Sequence, residues 1–236
     1  MLERGPAITI AKSETYRSDM YGNSVVFPSP PKKFTEAQIT RLGRMEGQEG
    51  VAWLEDRGGA SPYVVQIQLV IVGNRTQPVR IMNVKTKSEC TDPHDGILFH
   101  NPPAGADDSE IINFDLDKAD PEAKFIDPRD GKEQPYFPAR TISLTKGEQQ
   151  VLLVHAKTDK HFCQFRLQLT VLDGSDTSTI EVPKSDRDAF KVSAELPGTK
   201  YKTVYLGGVA TECGTGFVKA KAKEKSDLYT DSDCND

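Results

Sequence analysis

Along residues 163–171 apolar and polar positions alternate without a break. Cys163, Phe165, Leu167, Leu169 and Val171 fall on one side, and Gln164, Arg166, Gln168 and Thr170 on the other. A period of two belongs to a strand with one face in a core and the other in water. Upstream, residues 141–144, the Lys146-Gly147 turn and the apolar run 151–156 predict two more strands. Together with 162–172 they predict the central hairpin of an antiparallel sandwich. A second alternation sets Val65, Ile67, Leu69 and Ile71 against Gln66 and Gln68, predicting a strand over 63–72. Gly73-Asn74-Arg75-Thr76 has hairpin-turn chemistry, so 79–86 is expected to return as the partner of that strand.

Weaker β-like runs lie at 7–10, 24–27, 97–99, 111–117, 180–182, 189–194 and 201–206. One short helix is predicted after the prolines at 28, 30 and 31. Thr35 is a good N-cap, Gln38 completes a capping box, Phe34 staples onto Ile39, and Gly43 ends it. Two turns cannot stand alone, so Phe34, Ile39 and Leu42 are expected to cap one end of the sandwich. Residues 87–110 and 118–139 are rich in Pro, Asp and Gly and are expected to be long surface loops. In 217–225 lysines alternate with Val218, Ala220 and Ala222, the mark of a charge-guarded edge strand. The expected fold is an all-β, antiparallel Ig-like β-sandwich with one short N-terminal helix. Its divisions are an N-terminal extension over 1–50, the sandwich over 51–225 and a disordered tail over 226–236.

Composition narrows the function classes. The chain has 236 residues, 36% hydrophobic and 28% charged, enough for a sizeable core. A net charge of −5 argues against nucleic acid or an anionic membrane surface as partner. No run of 18 apolar residues occurs, and Met1-Leu2-Glu3-Arg4-Gly5 lacks the basic start and apolar stretch of a secretory signal. The phosphate-binding, dinucleotide, nucleophile-elbow and H-E-x-x-H patterns are all missing. Two S-x-x-K spacings, Ser29 to Lys32 and Ser143 to Lys146, fall on prolines and on a predicted strand and turn, where serine and lysine do not share a helical face. Asp115, Asp117, Asp120, Asp127 and Asp130 suggest calcium, but their spacing departs from the ordered loop such a site needs, and no metal or cofactor is expected. His94 and His100 are expected to be a solvated pair.

Trp53, Tyr136 and Tyr201 are the candidate ligand-contacting residues, since large aromatics either stack on sugars or anchor a core. Four widely spaced cysteines suit disulfides better than metal. Cys163 lies on the inward face of the best strand and Cys90 just past the end of strand 79–86, so these two are expected to form a bridge that ties a long loop to the core. Cys213 and Cys234 then pair or stay free.

The order of Gly73 with Pro78-Val79, Cys90, Tyr136-Phe137, Leu144 with Gly147-Glu148, and Phe162-Cys163 ahead of an alternating strand resembles uncharacterised β-sandwich domains of actinobacterial membrane proteins. The resemblance covers roughly 53–201. It implies a domain outside the cytoplasm, tethered by a membrane helix that this chain does not contain, and it implies no activity. The expected function is a non-enzymatic extracytoplasmic binding or protein-interaction domain, its partner a protein or a glycan. The alternatives are a carbohydrate-binding module or glycan-active enzyme, and a cytoplasmic location.

Overall fold

Both strongly alternating segments are strands in the computed structural model, which describes residues 5–17, 22–45, 48–102, 111–183, 189–207 and 216–228. The chain begins with β1 (Ile8–Tyr16), β2 (Val25–Phe27), α1 (Glu36–Leu42) and α2 (Gln48–Glu55). It continues through β3 (Ser61–Pro62), β4 (Val64–Gly73), β5 (Val79–Thr91), β6 (Ile97–His100) and β7 (Ile111–Asp115). Then come β8 (Lys124–Ile126), β9 (Glu133–Pro135), β10 (Ile142–Leu144), β11 (Gln149–Lys157) and β12 (Phe162–Asp173). The last elements are β13 (Asp176–Val182), β14 (Phe190–Ser193), β15 (Thr203–Gly207), β16 (Phe217–Lys219) and α3 (Ala222–Ser226). The all-β class holds.

Neither expected hairpin forms. β4 pairs with β1 and β11, while β5 pairs with β12 and β10. At residues 74–78 and again at 158–161 the chain crosses from one sheet to the other, so β4 and β11 lie in one layer and β5 and β12 in the next. The first sheet runs β1-β4-β11-β7-β8-β9. The second runs β10-β5-β12-β14-β3, with β13 also on β12. The alternation was right about which side chains face inward, because that depends only on the strand's own period. Pairing depends on the crossings, which a turn-like composition does not distinguish from a hairpin. A different hairpin does form, β12 to β13 through Asp173-Gly174-Ser175-Asp176.

Ile67, Leu69, Ile71, Leu152 and Val154 of the first sheet meet Ile81, Val84, Leu167, Leu169 and Val171 of the second in one core. At about 25 cal/mol per Å² of apolar surface removed from water, this shared interior is the main stabilising term. Gly73 stands where a side chain has no room: a Cβ there would lie 2.2 Å from the Thr145 carbonyl oxygen.

The segment expected as an N-terminal extension supplies β1 to the first sheet and β2 to a third. This third sheet, β16-β15-β6-β2, is four strands wide. One of its faces, with Phe27 and Phe99, packs under Leu42, Val51 and Leu54. The other, with Val26, Leu98 and Val204, packs against Phe162 and Tyr201. The helix at 36–42 has the predicted capping box, yet Phe34, Ile39 and Leu42 cover the third sheet rather than the end of the sandwich. Lys221, expected on an edge strand, precedes α3 instead, since Ala, Lys and Glu are strong helix formers.

Cys90 and Cys163 form a disulfide, Sγ–Sγ 2.04 Å. Cys90 is not in a loop: β5 runs on to Thr91, and the two cysteines face each other across the β5–β12 ladder. The bridge therefore staples neighbouring strands of one sheet. Cys213 and Cys234 lie outside the described residues.

Replacing both Cys90 and Cys163 by serine is expected to lower the unfolding free energy by roughly 4 kcal/mol, the chain-entropy value for a loop of this size. Urea denaturation of the oxidised chain against the double variant measures it. Equal midpoints would show that the ladder holds its geometry without the bridge.

Candidate binding groove

β10 covers one edge of β5 only at Val79, Arg80 and Ile81. Immediately beyond, the β5–β12 register skips a residue: Ile81 faces Val171 and Asn83 faces Thr170, so Met82 is extra. This β-bulge aims the Met82 side chain outward, 38% exposed, at the point where the edge of β5 becomes open. From Asn83 to Thr91 no strand pairs with that side of β5 among the described residues.

Opposite the bulge stand the segments flanking β8 and β9. They and β5 enclose a groove of about 300 Å³, lined by Met82, Val84, Pro121, Ala123, Phe137 and Pro138 among others. The outer wall is braced: the Tyr136 N–H donates to the Ala123 carbonyl at 2.7 Å, and the Arg140 guanidinium lies 4.0 Å over the Phe125 ring. Lys85 and Asp120 face each other across the mouth at 3.8 Å. Chemically the site offers a proline- and aromatic-lined slot beside a row of main-chain donors and acceptors.

The three aromatic candidates are not brought together. Trp53 sits on α2, half-buried, with the Arg57 guanidinium 3.7 Å over its ring. Tyr136 is buried in the main core behind the groove wall, edge-on to Phe125. Tyr201 is buried against the third sheet; its hydroxyl accepts the Leu196 N–H, and burial pushes its pKa up to about 12. Phe137, next to Tyr136 in sequence, is the aromatic that lines the groove.

The histidines correct another expectation, for His94 and His100 are buried rather than solvated. His94 stacks on Phe162 with ring centroids 3.9 Å apart, and His100 ends β6 in the third sheet. Burial pushes both down to about 4. The acids are dispersed. Asp115 lies 3.6 Å from Lys118, Asp120 belongs to the groove mouth, Asp127 clasps Arg129 and Asp130 lies 3.6 Å from Lys132. No group of three metal-ligating side chains occurs among the described residues.

Asp117 forms a cluster that sequence reasoning missed, at the crossing from β11 to β12. Its carboxylate accepts the Thr158 hydroxyl and the Asp159 N–H, each at 2.7 Å, and meets His161 Nδ1 at 2.8 Å. Burial pushes this carboxyl up, but the bonds from Thr158, Asp159 and His161 outweigh it and hold it below its ordinary value. The Thr158 hydroxyl, which donates to Asp117 and accepts the Lys160 and His161 N–H groups, is thereby committed to the turn. Nearby Tyr63 occupies the left-handed region at φ 63°. Its N–H donates to the Ser193 carbonyl and its own carbonyl accepts the Thr158 N–H. The only sequence signal was the polar corner Thr158-Asp159-Lys160-His161; nothing linked it to an aspartate 41 residues earlier.

No family model, curated protein or solved structure matches the chain.

Stability is expected to fall with acid in two windows. His94 and His100 bind protons more weakly folded than unfolded, so stability drains as pH drops from about 6.5 towards 4. Asp117 has a depressed pKa, so its contribution is complete above the unfolded value of about 4 and is lost below it. Melting temperature against pH tests this: Asp117→Asn should make only the lower window shallower, since Asp127, Glu148 and Glu181 still contribute there, and His100→Gln only the upper, where His94 remains. A profile with the same slopes in all three proteins would refute the assignment.

Proposed function

We propose that this chain is a non-enzymatic, extracytoplasmic interaction domain that receives an extended polypeptide segment in the groove beside β5. The observation that carries the reading is the coincidence of an open strand edge with an apolar slot at its start. Segments added to a sheet edge gain affinity from main-chain hydrogen bonds and specificity from pockets for their side chains, and both parts are present here. The Met82 bulge supplies the pocket floor and the braced 135–138 segment supplies its wall.

The disulfide supports an oxidising compartment outside the cytoplasm. No helix among the described residues is long and apolar enough to cross a membrane, so we place any tether outside them, as in the actinobacterial domains that the sequence resembles. Two sheets around one core favour an immunoglobulin-like relationship; the bridge within a single sheet and the parallel β7–β11 pair depart from that pattern. A carbohydrate-binding module is less well supported, because Arg57 occupies a face of Trp53 and Tyr201 is buried.

Panning displayed random dodecapeptides on the oxidised chain is expected to enrich peptides that slow amide exchange over residues 83–91. Met82→Glu should weaken them by about tenfold or more, the effect of setting a charge in an apolar pocket, with the fold intact because Met82 is exposed. Enriched peptides that bind the variant equally well would overturn the groove. Sugar binding on a glycan array that is lost in Trp53→Ala would favour the carbohydrate reading instead.

A further inference from the structure

Resting on that reading of β5 as a pairing edge, we infer that its occupant is the same edge of a second copy of this chain, antiparallel about a two-fold axis at Ser88. Among the described residues β5 is the longest strand, and beyond Ile81 one side of it is unpaired. On its solvent face lie Lys85, Lys87, Glu89 and Thr91, all exposed. Neither Lys87 nor Glu89 has an ion-pair partner among the described residues. Across the ladder Lys87 stands beside Arg166, and the carboxylate of Glu181 lies 2.7 Å from that arginine. The Glu181 carboxylate is paired with Arg166 and feels Lys87 only as a neighbouring charge, and no carboxylate among the described residues stands within ion-pair distance of Lys87.

Charge decides the register. In a symmetric antiparallel pair, residues equally far from the axis face each other, and like charges directly opposite are destabilising. An axis at Thr86 sets Lys85 against Lys87 of the second copy. At Lys87 the axis sets that lysine against itself. An axis at Ser88 sets Lys87 against Glu89 of the second copy and Glu89 against Lys87 of the second copy, with Lys85 facing a neutral threonine. The lysines that guard this edge against indiscriminate pairing therefore admit one self-complementary register. The Cys90–Cys163 bridge fastens the far end of the strand to β12, so the edge is held straight before it meets its partner. In this register Asn83 faces residue 93 of the second copy, which directs the chain after β5 of that copy towards the groove.

Sedimentation equilibrium of the oxidised chain over a wide concentration range tests the pairing. The mass should rise from 26.1 kDa to twice that value. Lys87→Glu and Glu89→Lys should each weaken association by about tenfold or more, as expected for close charge pairs lost across an interface. The double variant K87E/E89K exchanges the charges and should restore the dimer. Both side chains are exposed, so the variants retain the fold. A chain monomeric throughout overturns the inference, as does a dimer indifferent to the single reversals or a double variant that fails to recover. Met82-dependent dodecapeptide binding by a monomeric chain would overturn self-pairing alone and leave the groove reading standing.

Discussion

The β5–β12 ladder is the interaction on which the rest of this structure depends. β12 presents one flank to β5 along residues 162–172 and the other to β14 at 162–165 and to β13 at 167–173. Every inward side chain of β12 is buried, so the ladder provides both the spine of the second sheet and half of the core. The ladder closes a long loop, an entropic cost that local turns do not carry, and the disulfide at its end lowers that cost by restraining the unfolded chain. Phe162, the first residue of the same strand, reaches the third sheet as well. One strand therefore joins all three layers of side chains.

Alternation in the sequence made the inward faces of β4 and β12 legible and left their partners illegible. A period of two records which side of a strand meets water, and it is the same whether the next strand pairs with it or crosses to the opposite sheet. The short helix at 36–42 was readable because its capping chemistry is local: Thr35 and Gln38 need only each other. The second helix was hidden. Gly50 lies inside it, Val51 is β-branched, and its stability comes from Val51 and Leu54 buried on a sheet that no local pattern announces.

The groove was beyond the reach of the sequence for a related reason. Its lining is drawn from 82–85, 120–123 and 135–138, stretches that look like a strand and two pieces of one loop. What joins them is a bulge, visible only as a skipped partner in the register at Met82, and the start of β10 at Ile142, opposite Ile81. The aromatic candidates failed to converge because size and chemistry recommend Trp53, Tyr136 and Tyr201 equally for packing, and packing claims most of their surface.

Tyr63 lies between the short strand on β14 and the long one in the opposite sheet. Its amide is tied to Ser193 in the second layer and its carbonyl to Thr158 at the crossing from the first. Sliding either layer sideways pulls on the two ends of this one residue, whose backbone already sits in a region that bulky side chains rarely adopt. In mechanical terms this residue is one of the joints between the two sheets, and shear applied to one is delivered to the other there as well as at the crossings.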